Sequence, residues 1–342
     1  MVTIREVATA AGVSPSTVSY VVTGNKKLPA ATVAKVRASI FELGYTPNAA
    51  GRALSLGRTN IIGVVASILT DLSETEADIF MRFVRAAMFS AKEYGYDILM
   101  MGRAKDELVA APLVDGLLVM DIRFDDPRLP IIKALGRPTV LVGMPDDPHG
   151  MSAVDLDFAG SAHLAVEHLT ALGHRDIAVL GSTTEGTSEL SWSVRFERGM
   201  KEAAEAKGIS ASFWAAGSGA KDLDSWLKDA ARDRPDTSAI VLLNVALLDA
   251  LLRRAAERGV SIPEDLSIVV LATDEHMERR HPEITLLNVP GAKMLERAIQ
   301  LLRQELSGEG SFTRVLIPPR IIERGSTGPA APGALRTLAT RR

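Results

Sequence analysis

The chain predicts two architectures in series: a small all-helical head and a larger doubly wound α/β body. Three observations carry this. The first 45 residues hold three short helix signals separated by glycine or proline. From Asn60 onward, apolar runs of four to six residues alternate with longer amphipathic stretches. The charge is also split: residues 1–60 hold seven Lys/Arg against two acids, a net +5, which leaves −8 on the remainder of a chain whose total is −3.

The head begins with Thr3 and Glu6, which have capping-box spacing. Ile4, Val7, Ala8 and Ala11 then form one apolar helical face. Gly12 suits a left-handed C-cap. Ser14 is placed to cap a second helix whose first turn tolerates Pro15, since proline lacks only an N–H that would be unpaired there anyway. Val18, Val21 and Val22 face inward, leaving Ser16, Thr17, Ser19 and Tyr20 outside. Two short helices joined by a glycine turn make a helix-turn-helix. Val33, Val36, Ile40 and Leu43 mark a third helix between Pro29 and Gly44. A basic head on an acidic body is the balance expected of a polyanion-binding module attached to a sensing domain.

Between head and body, Pro47 breaks the third helix, Asn48 is a cap residue and Gly57 a stop. A helix of that length does not persist alone in water. It should be helical only when something packs against it.

In the body the strand candidates are Ile61–Ala66, Ile98–Met101, Gly116–Met120, Thr139–Val142, Ile177–Leu180, Ala239–Leu243, Leu266–Leu271 and Leu286–Val289. Helical candidates cover 77–94, 159–172, 190–207, 246–259 and 292–306. Continuous apolar strands alternating with helices mean parallel sheets covered on both faces, here in two lobes. On the helix at 292–306, Leu295, Ile299 and Leu302 suit either a core or a subunit interface. The stretch from Ser326, rich in Gly, Pro and Ala, reads as disordered.

Hydrophobic residues at 46% and charged residues at 24% are ordinary for a soluble globular protein. The absence of cysteine excludes disulfides and thiolate chemistry. No apolar run reaches the ~20 residues that span a bilayer. The N-terminus opens on a capped helix rather than a leader, so a cytoplasmic location is expected.

The chain resembles the lactose/galactose repressor (LacI/GalR) family of bacterial transcription regulators over nearly its whole length. The resemblance is carried by Thr3–Gly24 and by Gly44-Tyr45-Thr46-Pro47-Asn48-Ala49-Ala50 with Arg52 and Leu54. It continues in Val166-Glu167-His168-Leu169 with Leu172-Gly173-His174-Arg175, and in Glu257-Arg258-Gly259 with Ile262-Pro263-Glu264-Asp265-Leu266-Ser267. It implies a head at 1–46, a hinge helix at 47–58 and a periplasmic-binding-protein-like effector and dimerisation domain at 60–325. The N-lobe would take about 60–159 plus 292–317 and the C-lobe about 160–290 plus 318–325, followed by a disordered tail at 326–342.

The resemblance further implies a homodimer, with a tetramer as the larger alternative, whose heads read a near-palindromic double-stranded operator. Residue by residue, Pro15, Ser16 and Tyr20 match the base-reading positions, and Thr3, Ser14, Thr17, Ser19 and Asn25 the phosphate contacts. Most relatives have arginine at Tyr20, so the base preference should differ. Asn48, Ala49, Arg52 and Leu54 match the hinge that enters the minor groove, with Leu54 as the wedge. Gly51 replaces the usual alanine, a change worth ~1 kcal/mol of helix propensity.

The implied effector residues are Ser67, Phe80, Asp155, Arg195, Asn244 and Thr273, around a cleft between lobes. Asp155 and the nearby Asp157 equally suit capping of the following helix. Val245 and the run Val270-Leu271-Ala272 depart from the Asn-Asp and Gly-Phe-Asp patterns of many relatives, with Thr273 and Asp274 as substitutes. A carbohydrate effector is expected on resemblance alone; neither its identity nor the sign of its effect is specified. No cofactor, metal or catalytic residue is expected. His163 and His168 are spaced i, i+5, which does not put two ligands on one helical face, and no phosphate-binding or nucleophile motif is present. The two rivals are a solute-binding protein of a transporter, which shares the body's fold, and a regulator that ignores effectors.

Overall fold

The structure is a computed structural model that describes residues 2–24, 26–46, 57–66, 74–101, 113–182, 187–217, 219–331 and 333–339. The chain divides into two compact units, residues 1–61 with 113–115, and the rest.

In the first unit, α1 (Ile4–Ala11), α2 (Pro15–Thr23) and α3 (Ala30–Leu43) surround a small core of Val7, Ala8, Ala11, Val18 and Val36. The capping box is complete: the Glu6 N–H donates to Thr3 Oγ1 at 3.4 Å, and Glu6 Oε2 accepts from the Thr3 N–H at 2.7 Å. Gly12 has φ 63°, a left-handed conformation that brings α2 back across α1 and that a side chain would strain. Ser14 caps α2 by accepting from the Thr17 N–H at 3.1 Å. The apolar spacing of α3 overreaches at its end, because Leu43 lies in the last turn, beyond that core, and is exposed. At the far end of this unit the Asp115 carboxylate accepts from the backbone N–H groups of Thr59 and Asn60 at 2.7 and 2.8 Å. The hinge residues Asn48, Ala49, Arg52 and Leu54 lie outside the described residues.

The second unit is two six-stranded sheets. The first has the order β11-β5-β4-β3-β1-β2 and the second β12-β10-β9-β8-β6-β7. The strands are β1 (Ile61–Val65), β2 (Asp97–Met101), β3 (Gly116–Val119), β4 (Thr139–Val142), β5 (Ser152–Leu156) and β6 (Asp176–Ser182). They continue with β7 (Ser210–Ala216), β8 (Ala239–Leu242), β9 (Ser267–Ala272), β10 (Thr285–Asn288), β11 (Arg314–Ile317) and β12 (Ile321–Ile322). In the second sheet only the β10–β12 pair is antiparallel. The chain passes between sheets after β5, after β10 and after β11.

The helices are α4 (Glu74–Glu93), α5 (Leu129–Ala134), α6 (Phe158–Ala171), α7 (Ser191–Lys207), α8 (Ala220–Asp233), α9 (Leu248–Arg258), α10 (Asp274–Arg280), α11 (Gly291–Leu306) and α12 (Ala334–Ala339). Leu295, Ile299 and Leu302 are fully buried, so that face of α11 is core. β5 and β7 escape the apolar-run pattern because Ser152, Asp155, Ser210 and Ser212 interrupt it.

The disordered tail from Ser326 is a correction. Ser326 is buried; its hydroxyl accepts from the Thr285 N–H at 2.8 Å and donates to the Ile268 carbonyl at 2.6 Å. The Ala330 N–H donates to the Leu172 carbonyl at 3.0 Å. His174, fully buried, brings Nε2 to 3.1 Å from the Gly328 carbonyl and Nδ1 to 2.8 Å from Ser238 Oγ. Beyond it, Ala334, Leu335 and Leu338 of α12 join the core between α8 and α9. Small, turn-forming residues that look featureless in sequence are here fastened by backbone hydrogen bonds.

Candidate functional site

The first candidate surface is the outer side of α2. Pro15 and Ser16 are exposed, and Tyr20 is 38% exposed with Lys26 Nζ 5.6 Å from its ring centroid. Arg5, Lys26, Lys27, Lys35 and Arg37 are all exposed in this unit, so the polyanion-binding charge is on the surface. The N-terminus of α2 is also the favoured end of a helix for a phosphate.

Several expected contacts are already engaged. Ser14 Oγ lies 2.8 Å from Ser16 Oγ and 2.9 Å from Thr17 Oγ1, so three hydroxyls share the cap. Ser16 must turn its hydroxyl out of this cluster to donate to a base edge. Thr3 Oγ1 donates to Glu6 Oε2 at 2.8 Å, which places a carboxylate beside an expected phosphate contact. These bonds hold the Glu6 carboxyl below its ordinary range, so it stays charged. Ser19 is half-buried in α2, and Asn25 lies outside the described residues.

The second candidate site is a cavity of about 280 Å³ in the second unit, where ends of both sheets meet α4, α6, α7 and α11. Phe80 and Phe83 come from α4, Phe158 and Trp192 from the first turns of α6 and α7, and Asp155 from the end of β5. The Phe158 and Trp192 rings meet at 5.9 Å between centroids. Gly143 lines it with φ 136°, and a Cβ there would lie 2.7 Å from Ile122 Cβ, so the turn after β4 requires glycine.

Asp155 is 2% exposed. Its two oxygens accept from the Met144 and Leu156 N–H groups, both at 2.9 Å. Burial pushes its carboxyl up to about 7, against those two hydrogen bonds and the nearby Arg195 charge. Thr273, 2% exposed, also lines the cavity, and its hydroxyl has no partner among the described residues.

Of the expected effector residues, Phe80, Asp155 and Thr273 come together here. Arg195 does not line the cavity. Its Nε donates to the Met144 carbonyl at 2.8 Å and its Nη2 to the Pro145 carbonyl at 3.1 Å, with the guanidinium 5.4 Å from the Phe124 ring centroid. Asn244 is buried and donates to the Ala216 carbonyl at 3.1 Å, while its neighbours Leu243 and Val245 line the cavity instead. Asp157 caps α6 by accepting from the Gly160 N–H at 2.8 Å. Ser67 lies outside the described residues. Sequence reasoning missed Phe83, Asp121, Phe158 and Trp192. The signal for the last was available: one of three tryptophans, at a helix start, three residues before Arg195.

Beside the cavity, His276 of α10 approaches Asp78 of α4, Nδ1 to Oδ2 at 3.0 Å, with the histidine 1% exposed. The Asp78 carboxyl is held below its ordinary range by Arg82 and by this histidine. The pair joins an element following β9 of the second sheet to one following β1 of the first. Among the described residues no group of His, Asp or Glu is arranged to hold a metal, and no helix is long and apolar enough to cross a membrane.

Comparison with known proteins gives the two units separate matches. Residues 3–48 match the model of bacterial regulatory proteins, lacI family, and residues 166–327 a periplasmic binding protein-like domain. The transcriptional regulator CelR of Thermobifida fusca is 29% identical, covering 90% of this chain and 92% of its own. The transcriptional repressor PurR of Pectobacterium carotovorum is 27% identical over 95% of this chain and 97% of its own. Among solved structures, a CelR–cellobiose complex is 26% identical with TM-score 0.65, covering 95% of this chain and all of that one. A lac repressor dimer bound to operator and an anti-inducer has TM-score 0.80 at 22% identity, over 96% of this chain and 99% of that one, a likeness of fold. The chain therefore joins a DNA-binding domain of the lacI family of bacterial regulatory proteins to a periplasmic binding protein-like domain, the make-up of a DNA-binding transcriptional regulator with an effector-binding domain.

Proposed function

We propose that this protein is a cytoplasmic, homodimeric operator-binding repressor whose DNA affinity is set by a carbohydrate in the cleft. The observation that carries the effector reading is the wall of that cleft. Flat aromatic faces from Phe80, Phe158 and Trp192 suit the C–H face of a sugar ring, and the buried Asp155 carboxyl suits its hydroxyls. A solved complex of a relative, CelR, with cellobiose supports the same ligand class.

At the DNA end, Pro15, Ser16 and Tyr20 read base edges in the major groove while Ser14, Thr17, Ser19 and Asn25 hold phosphates. Thr3 contributes through its backbone and cap rather than through a free hydroxyl. Asn48, Ala49, Arg52 and Leu54 form the hinge, with Leu54 wedged into the minor groove. The dimer forms through α4 and the edge strand β2. The helix exposes Met81, Met88 and Phe89, and the edge strand exposes Leu99 and Met100 on its two sides, apolar surface that a partner would cover. The lac repressor dimer on its operator supports this assembly.

Effector binding acts by changing how the two lobes meet, and the coupling equals the difference in effector affinity between the two arrangements. The test is an operator-binding titration at fixed salt across a panel of sugars and glycosides. A change in operator affinity with any of them supports the reading; an affinity indifferent to the whole panel sinks the carbohydrate assignment and leaves the DNA-binding function standing.

A further inference from the structure

Asp115 stands immediately before β3 and holds the chain on its way into β1. Its Oδ1 accepts from the Thr59 N–H at 2.7 Å and from the Thr59 hydroxyl at 2.9 Å, and its Oδ2 accepts from the Asn60 N–H at 2.8 Å. Both oxygens of a half-buried carboxylate are engaged, in charge-assisted bonds. The Asp115 N–H donates to the Ile61 carbonyl at 2.8 Å, and the β1–β3 register begins at the next pair, Ile62 opposite Gly116. Backbone pairing thus holds the chain from Ile61 onward. The Asp115 side chain extends that hold to Thr59, across Asn60, whose φ of 58° makes a left-handed turn. Thr59 and Asn60 are the last residues of the link from the head, since α3 ends at Leu43 and β1 starts at Ile61.

We propose that Asp115 is a positioning residue for operator binding: by fastening Thr59 and Asn60 it sets the length of tether on which each head reaches its half of the operator. The proposal rests on the reading of the protein as a homodimer on a two-part operator. It concerns how far the heads reach, not which bases they read.

The physical argument is one of tether length. Without the Asp115 carboxylate, the three donors of Thr59 and Asn60 turn to water, and those two residues join the link. An extended residue adds up to ~3.5 Å, so each head gains up to ~7 Å, the rise of about two base pairs. Once one head is bound, the other meets its half-site at an effective concentration set by the tether. A short tether gives a high value only where the half-sites are correctly spaced; a longer one lowers that value and spreads it over more spacings. Loss of the anchor should therefore cost affinity and spacing selectivity together. Base preference, which belongs to α2, should stay as it is. A carboxylate that only braced the fold would lower stability and leave the dependence on spacing unchanged.

The experiment uses the full-length protein and an operator selected from a randomised library, rebuilt with its half-sites moved closer or apart by one and two base pairs. Affinities are read by fluorescence anisotropy at fixed salt, with sedimentation velocity to establish the same dimer in each protein. The variants are Asp115→Ala and Thr59→Val, the second removing only the hydroxyl from the anchor and so covering a failure of the first to fold. The expected result is that the wild type loses about 10-fold or more for each base pair of misplacement, whereas Asp115→Ala binds the best operator about 10-fold more weakly and varies by less than about 3-fold across spacings. Thr59→Val should flatten the profile in the same direction by a smaller factor, and library selection with either variant should return the wild-type bases. A wild-type spacing profile in the folded variants overturns the proposal and leaves the paired-head reading standing. Affinity lost equally at every spacing also overturns it, and makes Asp115 a brace. A wild type that binds one half-site as tightly as two overturns the proposal and the paired-head reading together.

Discussion

Asp155→Asn should make the protein more stable at slightly alkaline pH and leave it no better at acidic pH. The aspartate is buried with its carboxyl pushed from an ordinary 3.8 up to about 7. That displacement corresponds to roughly 4 kcal/mol between the two protonation states. The sign follows from linkage. A carboxyl whose folded value lies above its unfolded value binds more protons in the folded chain between those limits. The neutral acid's full stability is therefore present below about pH 4, declines at up to ~1.4 kcal/mol per pH unit, and is gone once the pH has risen through about 7. Asparagine has nearly the same shape and no charge. It accepts only on Oδ1, so one of the Met144 and Leu156 N–H groups loses its acceptor, a loss of about 1 to 3 kcal/mol at every pH. The net expectation is a variant about 1 to 3 kcal/mol more stable at pH 8 and less stable than wild type at pH 4.5. Urea unfolding of both proteins at half-unit pH steps reads this as two curves that cross. Parallel curves would falsify the claim that Asp155 is desolvated, whatever their offset.

Four further outcomes follow from the same geometry. Tyr20→Ala should relax operator preference at the positions its ring meets, by about 1 to 3 kcal/mol, read by selection from a randomised operator library. An identical selected motif for both proteins would remove Tyr20 from base reading. Phe89→Asp, at a side chain 65% exposed, should leave the fold's melting temperature nearly unchanged while weakening self-association in sedimentation velocity. An unaltered dimer would move the interface off α4. His276→Ala and Asp78→Ala should each destabilise the body, and a double-mutant cycle should return a coupling of about 0.5 to 3 kcal/mol. Additive effects would mean the 3.0 Å contact is idle. Leu335→Ala, in a fully buried side chain of α12, should cost about 2 to 5 kcal/mol in chemical denaturation, whereas a loose tail predicts no change.

The sequence was most legible where local chemistry decides structure. Thr3, Glu6, Gly12, Ser14 and Pro15 each announce a cap or a turn, and each does that job in the fold. Apolar runs found the buried central strands, but not β5 or β7, whose serines and Asp155 sit among apolar neighbours on the same strand. Ser152 and Ser212 make contacts far along the chain, with Thr313 and Ile177, which no local pattern carries. The tail failed for the same reason: Ser326 reads as linker until Ile268 and Thr285 are beside it. In the cleft, the carried-over identities of Phe80, Asp155 and Thr273 fell together, while Arg195 and Asn244 do not line it and direct their N–H donors to backbone carbonyls. Residue matching transfers position along the chain; it does not transfer rotamer. The aromatic wall was missed because Phe158 and Trp192 lie on elements far apart in sequence, at two helix starts that only the fold brings together.

The way the chain passes three times between its sheets has a consequence for how the protein is made. β11 completes the edge of the first sheet and β12 that of the second, and both lie within the last 30 residues of the sequence. The Ser326 and Gly328 bonds and the α12 side chains that close the second core come later still. During synthesis all three helices of the head are made before either lobe, and neither lobe is complete until β11 and β12 have followed. A nascent chain therefore presents a basic helix-turn-helix before it has any means of sensing a ligand. The dimerisation proposed through α4 and β2 would wait for their sheet, so that a half-made regulator would not present paired heads.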